Sequence, residues 1–310
     1  MDRLLSGERR ALARVLTWVE DGSEERLREV VGLLHPNAGR AQRVGITGSP
    51  GVGKSTLTSA LIGRWRALGR TVAVLAVDPS SPFTGGALLG DRVRMQEHVL
   101  DDGVFVRSMA SRGHLGGLAW ATPQALLALD AAGFDVVVVE TVGVGQAEVE
   151  VTSTADTTVV VLAPGMGDAV QAAKAGILEV ADVFCVNKAD RDGADRTVRE
   201  LRDMQALGEG GRRAPIVRTV ASGGRGIEEL VTAVDEHRAW LQETGGLHDR
   251  RVARALQEVR EVALGTVRRR VGGLDRSLVA ELAEAVAAGA LDPYRAADRL
   301  LAAMDGPPTP

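Results

Sequence analysis

The chain predicts an α/β fold, a mostly parallel sheet covered by helices, and three observations carry that prediction. From residue 43 onward, short runs dense in Val, Ile and Leu alternate with stretches of helical periodicity. Several of the runs are almost wholly apolar, Val136-Val137-Val138-Val139 among them, as strands buried on both faces must be. The third observation is the turn Gly48-Ser49-Pro50-Gly51-Val52-Gly53-Lys54-Ser55, followed by Thr56. It fits G-x-x-x-x-G-K-[ST] at every fixed position and lies between a strand candidate and a helical stretch, the setting a phosphate-binding loop requires. In such sheets ligands gather at the carboxyl ends of the strands, so each later motif is judged by that position.

The elements follow in order. Residues 1–40 read as a helical extension: Leu12, Val15, Leu16 and Val19 form one apolar stripe, Gly22 interrupts it, and Leu27, Val30, Val31 and Leu34 form another before His35-Pro36-Asn37. Strands are expected at 43–47, 71–77, 104–107, 135–140, 158–163, 182–187 and 215–220, within a nucleotide-binding domain spanning 41–235. Residues 236–310 are expected to be a helical region. Its stripes run through Val252, Ala255, Leu256, Val259, Val262 and Ala263, and then Leu278, Leu282 and Val286. Apolar stripes need a partner, either the sheet or a second chain.

Composition narrows the classes. The 310 residues are 45% apolar and 25% charged, with 37 basic against 41 acidic side chains. A balance of −4 offers no basic surface for nucleic acid or anionic membrane, and neither is expected as a partner. No signal-peptide pattern and no apolar run near 18 residues is present, so a cytoplasmic location is the expectation. The one cysteine, Cys185, sits inside an apolar run and reads as an inert core residue. Only three of the basic residues are lysine: Lys54, Lys174 and Lys188. Two of these fall in motifs where a compact ammonium has a job, which draws attention to the third.

The phosphate loop sets the chemistry. Its glycines allow backbone N–H groups to converge on an anion, and the helix after it adds the positive end of its dipole. Gly48, Pro50, Gly51, Val52, Gly53, Lys54, Ser55 and Thr56 are therefore expected to bind the nucleotide, with Lys54 at the β- and γ-phosphates and Ser55 on Mg²⁺. Asp78 ends a strand on the phosphate side, and Asp91 follows a glycine-rich run, either capping a helix or approaching the metal. Glu140 ends another apolar strand and completes the expected metal set of Ser55, Asp78, Asp91 and Glu140. His114 has no donor at metal-ligand spacing and reads as a loop residue. Gln146 is a catalytic candidate, but it stands three residues after Gly143 and not directly after it, so the sequence leaves open which residue positions the attacking water. The last strand candidates deliver Asn187-Lys188-Ala189-Asp190, the N-K-x-D pattern in which a carboxylate accepts two hydrogens from the guanine edge that adenine lacks. Ala221 then stands where guanine O6 meets a backbone N–H. GTP and GDP, with Mg²⁺, are the expected ligands.

With these landmarks in place, the chain resembles the MeaB/ArgK family of mutase-associated P-loop GTPases, of the SIMIBI class. The resemblance runs from about residue 7 to about 300 and rests on GSPGVGKST, DPSSPFTGGALLGDRVRM, RGHLGGL, ETVGVGQAE and NKAD. One departure is that Val220-Ala221-Ser222 stands where the family usually has Ser-Ala. That loses a hydroxyl at 220 and keeps Ala221. The resemblance implies a homodimer paired through the C-terminal helical region. It also implies a G-protein chaperone for an adenosylcobalamin-dependent acyl-CoA mutase of the methylmalonyl-CoA mutase type, slow to hydrolyse GTP until its partner activates it. It places Lys174 in a third switch-like segment, so the expected catalytic set is Lys54, Asp91, Glu140, Gln146 and Lys174.

Three other readings compete. A nickel-enzyme metallochaperone GTPase would need clustered His and Cys, and the five histidines are scattered. A transport-linked kinase, the older ArgK label, conflicts with a guanine-reading motif. A scaffold without turnover conflicts with a full set of Mg²⁺-binding carboxylates.

Overall fold

The computed structural model describes residues 1–21, 24–78, 96–98, 100–110, 121–141, 153–165, 180–207 and 212–304. The N-terminal extension forms α1 (Asp2–Leu5), α2 (Arg9–Asp21) and α3 (Glu24–Leu34). Strands β1 (Gln42–Thr47), β2 (Val72–Asp78), β3 (Val104–Ala110), β4 (Val136–Thr141), β5 (Thr157–Leu162), β6 (Val183–Val186) and β7 (Ile216–Arg218) make one sheet. Their order is β3-β2-β4-β1-β5-β6-β7, and every pairing is parallel. The seven expected strands are all present, with ends within a few residues of those read from the sequence.

Parallel strands need crossovers, and among the described residues helices lie in three of them, with one more helix after the last strand. Helix α4 (Lys54–Ala67) follows β1, α5 (Thr122–Ala131) precedes β4, α6 (Ala194–Leu207) follows β6, and α7 (Ile227–Glu243) follows β7. Alternating strand positions face two cores. Val44, Ile46, Val136 and Val138 pack with Leu57, Leu61 and Trp65 of α4 and with Leu230 and Val234 of α7. Val137 and Val139 pack on the opposite face with Leu126 and Leu129 of α5 and with Leu12, Leu16 and Val30 of the N-terminal helices. The stripe read at Leu12, Val15, Leu16 and Val19 is thus buried against the main sheet. Strands covered on both sides have no solvent face to make polar, hence their valine runs.

The chain divides into two compact units, Met1–Arg251 and Val252–Pro310. The expected division between 235 and 236 falls inside α7, whose buried side chains lie on both sides of it, from Leu230 to Leu241. Helix α8 (Gly246–Gly272) begins in the first unit, while α9 (Arg276–Ala287) and α10 (Pro293–Ala303) belong to the second. Asp275 caps α9 through the Ser277 N–H at 2.9 Å, and Asp292 caps α10 through Tyr294 and Arg295, each at 3.0 Å. Along α8 the predicted stripe is solvent-facing: Val252 and Leu256 are 52% exposed and Val259 is 65% exposed.

Candidate nucleotide site

The sheet reverses direction of travel around β1, which has β4 on one side and β5 on the other. A crevice at the carboxyl ends of these strands is where an open parallel sheet takes its ligand. The loop after β1 enters that crevice and leads directly into α4. Two of its glycines are dictated by space. A Cβ on Gly48, at φ 140°, would meet the Val161 carbonyl oxygen of β5 at 2.2 Å. A Cβ on Gly53, at φ 96°, would meet the Asn187 amide nitrogen at 2.6 Å. Gly53 is the cap residue of α4, and no side chain caps that helix, so its first N–H groups face the loop. Lys54 is buried, and its ammonium donates to the Gly48 carbonyl and, at 3.3 Å, to that of Ser49. The ammonium is thereby held at the mouth of the loop by the loop's own backbone. Pro50, Gly51 and Val52 complete the turn, while Ser55 and Thr56 open the helix.

Glu140, at the end of β4, is only 1% exposed. Its two oxygens accept from Ser55 Oγ and Thr58 Oγ1, each at 2.7 Å. A buried carboxylate demands such partners. Sequence reasoning missed Thr58, although its place three residues after Ser55 puts it on the same helix face. A buried hydroxyl beside a buried carboxylate is a hard-oxygen donor set, and it suits Mg²⁺. Among the described residues no three His, Cys, Asp or Glu side chains gather as metal ligands. An ion held by one hydroxyl, one carboxylate and phosphate oxygens needs no such cluster. Asp78 ends β2 at the same edge, its backbone in register with Ala110 of β3. Asp91, Gln146 and Lys174 lie outside the described residues, as does His114.

The end of β6 carries the second motif. Asn187 is 2% exposed, and both ends of its amide are bonded inside the protein. Its amide donates to the Val52 carbonyl at 2.9 Å, and its Oδ1 accepts from Thr219 Oγ1 and from the Ala221 N–H, each at 3.1 Å. One side chain therefore ties the phosphate loop to the loop after β7. Lys188 adopts a left-handed conformation (φ 56°), rare outside glycine, and its ammonium donates to the Gly51 carbonyl at 2.7 Å. Its stem thus lies along the phosphate loop, and Asp190 projects exposed beyond it. The Ala221 N–H, expected to meet a base, has Asn187 as its partner. Ala221 itself is buried, while Ser222, next in the same turn, is exposed.

Two further contacts were not legible beforehand. Cys185 Sγ lies 3.2 Å from Thr219 Oγ1, and burial pushes its thiol up to about 12, so it remains an unreactive thiol behind the motif. Ser59 of α4 bonds to the Glu97 carboxylate and lies 3.1 Å from His98 Nε2, fastening residues 96–98 to the phosphate-loop helix.

A phosphate loop at β1, a buried Ser–Glu pair beside it and N-K-x-D at β6 define a P-loop GTPase. Residues 12–274 match the family model described as methylmalonyl-CoA mutase-associated GTPase MeaB, and the chain belongs to that family. A relative from Pyrococcus abyssi, named no further than as a GTPase, is 49% identical over 99% of this chain and 96% of its own. A stretch of 208 residues, 65% of this chain, is 40% identical to 19% of the fused isobutyryl-CoA mutase of Cupriavidus metallidurans. Among solved structures, a protein named LAO/AO transport system kinase superposes with a TM-score of 0.71. It shares 27% identity, over 98% of this chain and 96% of that one.

Proposed function

We propose that this GTPase serves an adenosylcobalamin-dependent acyl-CoA mutase as a chaperone, gating cofactor loading and protecting the loaded enzyme. The observation that carries the partner is the relative in which a segment like this chain is part of a fused isobutyryl-CoA mutase. Joining two activities in one polypeptide raises their effective concentration, an arrangement that benefits proteins acting together. Membership of the mutase-associated family points the same way.

In this reading Lys54 reaches the β- and γ-phosphates, Ser55 binds Mg²⁺, and Glu140 approaches it with Asp78 and Asp91. Mg²⁺ neutralises charge on the β- and γ-oxygens. Asp190 accepts from the guanine edge, Lys188 covers the ring face, and Asn187 holds the surrounding loops in register. With the Ala221 N–H engaged by Asn187, the O6 contact passes to the N–H of Ser222, an exposed residue. Gln146 orients water, and Lys174 transmits nucleotide state to the partner. The exposed stripe of α8 pairs two copies into a homodimer that works in the cytoplasm.

The name of the solved relative, a transport system kinase, suggests instead a nucleotide-dependent kinase. N-K-A-D favours guanine, and single-turnover hydrolysis separates the two. GTP turnover should be slow alone and accelerated by methylmalonyl-CoA mutase carrying adenosylcobalamin, and Lys174→Ala should lose most of the acceleration while keeping basal turnover. Lack of any acceleration by the mutase in the parent would refute the chaperone reading.

A further inference from the structure

The amino-terminal end of the sheet, away from the phosphate loop, holds a cluster of charges that do not cancel. Five carboxylates there are all engaged. Asp130 accepts three backbone N–H groups, from Gly39, Arg40 and Ala41, and pairs with Arg43 at 3.3 Å. Asp135 accepts from the Thr71 N–H and hydroxyl, and Asp156 pairs with Arg251 at 3.4 Å. Asp182 takes both nitrogens of Arg250, and Asp235 takes both of Arg70. Two guanidinium groups remain with no carboxylate at ion-pair distance among the described residues: Arg40, before β1, and Arg238, on α7.

Both line one cavity of about 510 Å³, together with Gln42, Arg70, Phe134 and Gln242 and two carboxylates already engaged, Asp135 by Thr71 and Asp235 by Arg70. Arg238 is half-buried, and one of its nitrogens donates to the Arg40 carbonyl at 3.0 Å, leaving most of its five N–H groups for another acceptor. Burial, the largest cause, draws its guanidinium below the ordinary arginine value; Asp156 and Asp235 oppose that pull, and Arg251 and Arg70 add to it. An anion in the cavity would relieve that. The planar fork of arginine matches phosphate oxygens, and two forks match a dianion. The volume falls in the range of small-molecule sites, too large for phosphate alone, and Phe134 offers an apolar wall.

We propose that this cavity is a second ligand site, binding a small organic phosphomonoester between Arg40 and Arg238 at the end of the sheet opposite the nucleotide. The proposal does not depend on the mutase reading.

The test uses full-length protein saturated with Mg²⁺ and a non-hydrolysable GTP analogue, so that the phosphate loop is filled. Phenyl phosphate and inorganic phosphate are then titrated calorimetrically at constant ionic strength. Saturable binding is expected, tighter for phenyl phosphate. Arg40→Gln and Arg238→Gln should each weaken it by about 10-fold or more, the scale of one lost charge-assisted contact, with affinity for the analogue unchanged. Arg40 is exposed, so its variant remains informative even if Arg238→Gln folds poorly. Absence of saturable heat up to about 10 mM, a level corresponding to negligible affinity, would overturn the proposal. So would equal binding by the parent and the Arg40 variant.

Discussion

A Cβ on Gly53 would lie 2.6 Å from the side-chain nitrogen of Asn187. The last glycine of the phosphate loop and the first residue of the base motif are therefore in direct contact, so phosphate binding and base reading share one joint. Gly53→Ala adds both this clash and a left-handed backbone penalty, at φ 96°. Nucleotide affinity should fall by at least about 10-fold, and Asn187→Ala should do similar damage by leaving the Val52 carbonyl and the Ala221 N–H without their partner. Calorimetry with GDP checks both. Parent-like affinity in Asn187→Ala would mean that the joint is dispensable.

Glu140→Gln keeps the shape of the side chain and removes its charge. One of the Ser55 and Thr58 hydroxyls can still donate to its amide oxygen and the other can accept from its amide nitrogen, so the fold should survive. GTP turnover should drop by about 10-fold or more, the scale of losing one charge-stabilising group, and the Mg²⁺ concentration needed for half-maximal rate should rise. A single-turnover Mg²⁺ titration reads both. An unchanged Mg²⁺ requirement would make Glu140 a structural partner of α4 only.

Asp182 gives a pH prediction. Burial alone would raise its carboxyl, but hydrogen bonds from His237 and Arg250 outweigh that and lower it from 3.8 to about 2. The unfolded chain therefore takes up this proton first as pH falls. The stabilisation is fully present above about pH 4 and is lost between about pH 4 and 2. It is worth on the order of 2 kcal/mol. Asp182→Asn should be less stable at pH 7 in denaturant melts, and the gap to the parent should narrow across that window. A gap that stays constant down to pH 2 would contradict the assignment.

Pairing of two copies is tested on α8. Leu256→Glu and Val259→Glu place charge on side chains that are 52% and 65% exposed. If this stripe joins the dimer, the parent should sediment as a dimer and the variants as monomers with unchanged GDP affinity. Deletion from residue 245 is a poorer test, because it removes Arg250 and Arg251, which bond to Asp182 and Asp156 in the first unit. Sedimentation of variants and parent at the same mass would assign the stripe no role in pairing.

The sheet was legible because buried parallel strands leave a local mark, a β-branched run ending in a motif residue. Ser55, Glu140 and Asn187 were legible for the same reason, each standing at a strand end or helix start. The inward role of Asn187 was not, since its partners Val52, Thr219 and Ala221 come together only in three dimensions. The passage of α7 through position 235 was also missed, although no Gly or Pro interrupts the helix before Gly245. The charges around Arg238 were hidden because they come from segments scattered between Gly39 and Arg251, with no periodicity to connect them.

The central claim is that this chain reads guanine through Asp190 at the end of β6, and calorimetry of GDP against ADP tests it most directly. On this account the exposed carboxylate would gain two hydrogen bonds from guanine and face no matching donors on adenine. The parent should bind GDP at least about 100-fold more tightly than ADP, the discrimination expected when a charged acceptor would otherwise go unpaired. Asp190→Ala should bring the two affinities within about 10-fold of each other, mainly by weakening GDP. Equal affinity for GDP and ADP in the parent would contradict the account.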